Sequence, residues 1–138
     1  MGLSITTIEC TNFRSYDHFF LNDLATFTLI VGPNATGKTN LLEGIQLTTA
    51  ASSFRHPKAE HLIRNGEEIA SFKSSFKGDG RQLDIELRAT KDGKQFLFNG
   101  KKKRAHNIRG LLPSILFCPD DLNLIKGHSW IYWVLKYL

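Results

Sequence analysis

The sequence predicts an α/β fold, on three observations. The apolar run "FTLIV", residues 27 to 31, leads into a glycine-bearing loop; the loop leads into helically spaced apolar positions from Lys38; and later segments alternate apolar with polar residues between turn dipeptides. The 138 residues fit one domain or a piece of one, and the 41% hydrophobic and 22% charged fractions are those of an ordinary soluble globular protein. No apolar run approaches the ~20 residues that a membrane span needs. The opening "MGLSITTIEC" has neither the basic leader nor the apolar core of a signal peptide. Together these point to a cytoplasmic protein with no membrane partner. Cys10 and Cys118 are too few and too far apart for a disulfide framework or a zinc site, so both read as small buried residues in a reducing compartment.

The elements follow in order. "LSITTIEC" alternates and is rich in β-branched residues, which predicts a strand; "NFRSY" bends the chain and "HFFLN" is a short second strand. "FTLIV" has the continuous apolar pattern of a strand buried on both faces of a parallel or mixed sheet. From Lys38 to about Ala51, Leu41, Leu42, Ile45 and Leu47 predict an amphipathic helix. "SSFRHPKAEHLIRNGEE" is a polar connection with room for one helical turn. "IASFKSSF", "QLDIELRAT" and "KQFLFNGKKKR" are antiparallel strands forming a small hairpin sheet, separated by turns at Gly78-Asp79-Gly80, Asp92-Gly93 and Asn99-Gly100. "LPSILFCP" is a further buried strand, and "PDDLNLIKG" begins with Pro119 and two acids and stops at Gly127, as a short helix does.

The loop carries the chemistry. Gly32, Pro33, Asn34, Ala35, Thr36, Gly37, Lys38 and Thr39 fit the pattern GxxxxGK(S/T), set between a predicted strand and a predicted helix, with Asn40 in the first turn beyond it. Glycines let the backbone curl so that successive N–H groups point inward as an anion nest, and the start of the helix adds its partial positive charge to the same spot. A nucleoside triphosphate such as ATP suits that arrangement. Lys38 supplies a point charge to the β- and γ-phosphates, and the Thr39 hydroxyl is a ligand for the Mg²⁺ that bridges them. Hydrolysis asks for more, namely an acidic residue at the end of a second buried strand. Asp120 and Asp121 are the available acids, but Pro119 breaks the strand before them, so capping of the following helix explains them as readily as a role at Mg²⁺.

Four segments together resemble the bacterial RecF family: "IECTNFRSY", "GPNATGKTNLLEGI", "SFRHPKAEHLIRNGEE" and "LLPSILFCPDDLNLIKG", matching in order and spacing over residues 3 to about 127. Members of that family are DNA-binding ATPases of the ABC type, related to the SMC proteins. The resemblance implies the amino-terminal half of a P-loop NTPase head, with a mixed sheet and an antiparallel hairpin lobe. It implies ATP and Mg²⁺ as cofactors, and ATP-dependent homodimerisation in which each site is completed by the partner's signature motif. It also implies DNA as a partner, at single-stranded/duplex junctions, beside other recombination mediator proteins in DNA repair, replication, recombination and the SOS response. It makes Asn12 and Arg14 nucleotide contacts, although on the residues alone Arg14 is an exposed turn residue. Asn34 stands where its side chain faces the γ-phosphate.

The departures shape the expected activity. Beyond "LIKG" the family continues with an arginine-rich helix, a coiled-coil lobe, the signature motif, a second acidic strand motif and a histidine-bearing loop. Here residues 128–138 read "HSWIYWVLKYL", an aberrant or non-homologous tail of the kind a frameshift or truncated reading produces, with an amphipathic terminal helix as the alternative. Residues 1–127 are then a partial ATP-binding head that is not competent for hydrolysis. An unrelated small P-loop phosphotransferase is the competing reading, but it calls for lid arginines and an acceptor-binding acid, where this chain has a basic hairpin.

Net charge is +5, and it is concentrated. Lys91, Lys94, Lys101, Lys102, Lys103, Arg104 and Arg109 face the single acid Asp92 between residues 91 and 109. Lys101 to Arg104, after the Asn99-Gly100 turn, are either a solvated charge run at an exposed tip or a contact that tracks DNA phosphates. A free-standing nucleic-acid module would need aromatic interleaving, for which only Phe96 and Phe98 are at hand, and their alternation suits a core equally well.

Overall fold

The structure, a computed structural model, describes residues 2 to 116 and the backbone of 135 to 137. Its main body is one six-stranded sheet. The strands are β1 (Ser4–Phe13), β2 (Tyr16–Leu21), β3 (Ile69–Gly78), β4 (Arg81–Thr90), β5 (Gly93–Phe98) and β6 (Lys101–Lys103), in the order β2-β1-β3-β4-β5-β6, every neighbouring pair antiparallel. The first two strands and the later hairpins therefore belong to one continuous sheet, joined by the long-range pairing of β1 with β3. That pairing crosses some sixty residues of intervening chain, so no local pattern announces it.

Alternation works as the sequence suggests. Ala70, Phe72, Ser74 and Phe76 of β3 and Leu83, Ile85, Leu87 and Ala89 of β4 are buried, with residues between them more open. In β1 the register against β3 slips between Ile5 and Thr7, and this irregularity lets Ile5 and Ile8, three residues apart, both face the core. The turns are those expected: Asp79-Gly80 has φ of 50° and 69°, Asn99-Gly100 has 45° and 77°, the paired positive values of a tight hairpin.

One α-helix, α1 (Lys38–Ala50), lies on the buried face of the sheet. It matches the expected span but is less amphipathic than predicted, since Glu43, Thr48 and Thr49 are buried along with Leu41, Leu42, Ile45 and Leu47. Those polar groups can be buried because each has partners. Thr48 Oγ1 bonds Gly44 O at 3.1 Å and the Ser74 hydroxyl at 2.7 Å, and Thr49 Oγ1 bonds Ile45 O at 2.9 Å and the Ser114 hydroxyl at 2.9 Å. Gly44 sets how close the helix comes: a β-carbon there would stand 2.1 Å from Cε2 of Phe72. The polar connection holds one helical turn, Ala59–Leu62, as anticipated.

Residues 27–31 depart from expectation. They form no strand, and Phe27 (82% exposed), Leu29 and Val31 (77%) stand open to solvent. A strand apolar on both faces needs partner strands on both sides, and among the described residues none pairs with this segment, of which only Ile30 packs against the core. "LPSILFCP" yields a short strand, β7 (Ser114–Leu116), which pairs antiparallel with β8 (Leu135–Tyr137). At 135–137 the chain is thus strand, not the alternative terminal helix. Cys118, Pro119, Asp120, Asp121, the expected helix to Gly127 and the tail from 128 to 134 lie outside the described residues. No helix of the described residues is long and apolar enough to cross a membrane.

Candidate phosphate-binding site

The loop from Gly32 to Gly37 leads directly into α1, and Gly37 caps the helix in a left-handed conformation with φ of 94°. Any other residue there would be strained, and its β-carbon would also meet Tyr16 Oη at 2.8 Å and Ser15 Oγ at 2.9 Å. The expected "NFRSY" turn is therefore the wall against which the loop closes. The helix starts without a side-chain cap, and its first turn holds no acid. No acid of that first turn therefore offsets its N-terminal partial positive charge. Lys38 turns back over the loop, its Nζ donating to Gly32 O at 2.6 Å and also to Pro33 O, while Thr36 Oγ1 bonds Pro33 O at 2.8 Å. Gly32 leaves room for this, since a β-carbon there would stand 3.2 Å from Thr36 Oγ1.

The predicted residues gather unevenly. Gly32, Pro33, Asn34, Ala35 and Thr36 are exposed, with Ala35 at a φ of 63°, whereas Gly37, Lys38, Thr39 and Asn40 are half-buried at the head of α1. Asn40 Nδ2 donates to Ser15 Oγ at 3.2 Å, tying the helix to the turn. Asn12, at a φ of 49°, points its amide to Glu67 Oε2 at 3.3 Å, and its carbonyl accepts from Arg64 N at 2.8 Å. Arg14 is engaged within the protein: Nε and Nη2 bond the two carboxylate oxygens of Glu43 at 3.0 and 2.9 Å. Lys101, Lys102 and Lys103 are exposed but form the edge strand β6 beyond the turn, with Arg104 exposed just after it. Lysines on an edge also discourage further strand pairing.

Sequence reasoning missed Glu43, Arg55, Ser15 and Tyr16. Glu43 is fully buried and accepts from Arg14, from Arg55 Nη1 at 3.2 Å and from Ser53 Oγ at 2.9 Å. The available signal was a carboxylate set between Leu42 and Gly44, close to the apolar positions of the helix, where it must find cationic partners.

The profile of the RecF/RecN/SMC N-terminal domain matches residues 4–123. The chain belongs to that family. The DNA replication and repair protein RecF of Moorella thermoacetica is 34% identical over 126 residues, which is 91% of this chain and 34% of that protein. The RecF of Geobacillus kaustophilus is 36% identical over 128 residues, 92% of this chain and 34% of that protein. The chain thus spans about a third of the length of these RecF relatives. Among solved structures, that of the recombination mediator protein RecF with ATP superposes with a TM-score of 0.76 at 31% identity, over 92% of this chain and 36% of that one. The fold class expected for this family member, a P-loop head of the kind shared by RecF and SMC ATPases, is borne out, but the expected mixed sheet is not: among the described residues every strand pair is antiparallel, since residues 27–31 add no parallel strand.

The residues present fit a triphosphate. A left-handed glycine with no room for a β-carbon, an uncapped helix start whose first turn holds no acid, and a lysine ammonium held over the loop by carbonyl oxygens suit an anion. Among the described residues no cluster of three His, Cys, Asp or Glu could hold a metal ion by itself.

Proposed function

We propose that this chain is the ATP-binding portion of a RecF-type DNA repair protein. One observation carries the reading: left-handed Gly37 sits at the uncapped start of α1 with the Lys38 ammonium folded into the same loop. In this reading the backbone of residues 32 to 39 receives the phosphates and Asn34 lies beside them. Lys38 leaves its carbonyl partners for the more strongly charged phosphate oxygens, and Thr39 would hold Mg²⁺. Bound Mg²⁺ supplies neutralisation of charge on the β- and γ-phosphates. Asn12 and Arg14 flank the site. Residues 1–127 are the head portion and 128–138 a segment outside it, a division supported by the end of the family match at residue 123.

DNA binding that depends on ATP, homodimerisation driven by ATP, work alongside other recombination mediators and a cytoplasmic location belong to the same proposal and follow from the family resemblance; the names of the RecF relatives support the part in DNA replication and repair. The 138 residues alone do not hydrolyse ATP appreciably. Calorimetry with Mg-ATP on the full chain and on Lys38→Ala tests the assignment. Binding by the wild type and a loss of at least about tenfold in the variant are expected, since one charge-assisted contact is worth roughly 1.5–3 kcal/mol. Equal affinities would remove the loop from the account. Turnover like that of a complete ATPase would return attention to Asp120 and Asp121.

A further inference from the structure

Beside the phosphate loop lies a fully buried carboxylate that the assignment above does not use. Glu43, on α1 five residues beyond Lys38, binds Arg14 through a two-pronged fork and also accepts from Arg55 and Ser53. Arg55 Nη1 donates at the same time to Asn40 Oδ1 at 2.9 Å, and Asn40 Nδ2 reaches Ser15 Oγ. Glu43 thus joins α1 to Arg14 of the turn and to the segment 53–55, and Arg55 and Asn40 carry the link on to the first turn of α1 and to Ser15. Two guanidinium groups against one carboxylate leave this cluster with a net positive charge. Burying a carboxylate is expensive unless it is paired and hydrogen-bonded, and Glu43 is both.

Resting on the ATP-binding reading, we infer that Glu43 is a positioning residue for the phosphate site, holding Arg14 and Arg55 in fixed orientation beside the mouth of the loop. The sign of one effect separates this role from simple electrostatics. Glu43 is a negative charge close to where phosphates bind, so removing it should, by Coulomb's law alone, strengthen the binding of an anion. If its value lies in holding the two guanidinium groups, removing it should weaken binding in spite of the added positive charge. Glu43→Gln is nearly isosteric, but its amide presents donors to guanidinium groups that can only donate, so the fork on Arg14 cannot be kept.

The experiment is calorimetry of Mg-ATP binding to the 138-residue chain, with circular dichroism melts on every variant. Wild type and Lys38→Ala come first, and they test the ATP reading by itself. The expected result for Glu43→Gln is ATP affinity about tenfold weaker, the loss of a charge-assisted hydrogen bond's worth of order. The double variant Arg14→Lys/Arg55→Lys keeps every charge while removing the planar forks, and the same weakening is expected. Adding Glu43→Gln to that double variant should then weaken binding no further, because residues acting through one another are not additive. Unchanged or tighter ATP binding in folded Glu43→Gln, or full additivity of the three substitutions, would overturn the inference. If Glu43→Gln does not fold, Glu43→Asp decides, because it keeps the charge and both arginines while drawing the carboxylate back from the forks: wild-type affinity there overturns the inference, and tenfold weaker affinity upholds it.

Discussion

Gly44→Ala probes the contact that places the helix, and through it the phosphate loop, on the sheet. A β-carbon at position 44 would stand 2.1, 2.3 and 2.4 Å from Cε2, Cδ2 and Cζ of Phe72. Carbon atoms in contact prefer about 3.5–4.0 Å, so ring and helix must separate by roughly 1.5 Å. Phe72 cannot swing away cheaply, because it is fully buried and its ring packs 5.0 Å from that of Phe13. Overpacking of this kind costs about 1–3 kcal/mol, and the severity of the overlap places it at the upper end. Alanine recovers up to ~1 kcal/mol as the better helix former. A net loss of about 2 kcal/mol follows, a fall in melting temperature of roughly 5–10 °C for a chain of this size. The assay is a thermal melt by circular dichroism, together with the double variant Gly44→Ala/Phe72→Leu. The smaller leucine should relieve part of the overlap, making the double variant more stable than the sum of its parts. A single variant that melts at or above the wild-type temperature would mean that α1 does not rest on Phe72, and the position given to Lys38 would fall with it.

Three further outcomes are expected. Burial is the strongest single influence on the Asp84 carboxyl and pushes it up, but the polar surroundings of Ser75, Lys73 and Gln82, with the Lys73 ammonium 3.2 Å from Oδ2, outweigh it and hold the group below its ordinary range. A depressed folded value means stability that is fully present above the unfolded value of about 3.9 and is lost as pH falls through the folded one, so Asp84→Asn should flatten the acid limb of a melting-temperature profile. The effect should stay below about 1 kcal/mol because the pair is partly solvated, and an unchanged acid limb would contradict the assignment. The Cys10 thiol is pushed up to about 12, chiefly by burial, so in a Cys118→Ser background it should resist iodoacetamide at pH 8 until the protein is unfolded. Rapid labelling of the folded chain would show that the β1 core is open. If Lys101, Lys102, Lys103 and Arg104 track DNA phosphates, replacing them with glutamine weakens DNA binding and makes its salt dependence shallower by roughly three to four units, each phosphate contact contributing about 0.9. An unchanged slope would leave these residues as a solvated edge strand.

What the sequence disclosed follows the range over which each signal acts. Strands β3 to β5 and their turns were legible because alternation and dipeptides such as Asn99-Gly100 act within a few residues. The tight loop leading into α1 was legible because glycine, lysine and threonine at fixed spacing constrain one local backbone shape. The pairing of β1 with β3 was not, since nothing in either strand specifies a partner so distant in the chain. Residues 27–31 misled for a related reason: apolarity records what a segment needs to have beside it, and the described residues place no strand there. Glu43 escaped notice because a helix pattern read from Leu41, Leu42 and Ile45 treats an intervening carboxylate as solvent-facing, whereas Arg14, Ser53 and Arg55 arrive from other parts of the chain to bury it.

The central claim is that residues 32 to 39 receive the phosphates of ATP, and backbone amide resonances test it at the atoms concerned. In a titration of the ¹⁵N-labelled chain with Mg-ATP, the amides of Gly32 to Thr39 should show the largest shifts, those of Gly37 and Lys38 above all, because the account has the N–H groups of the loop and of the uncapped start of α1 receive the anion. Inorganic sulfate should move the same amides less. Shifts absent at saturating Mg-ATP, or concentrated on the basic strand Lys101–Lys103 instead, would contradict the account.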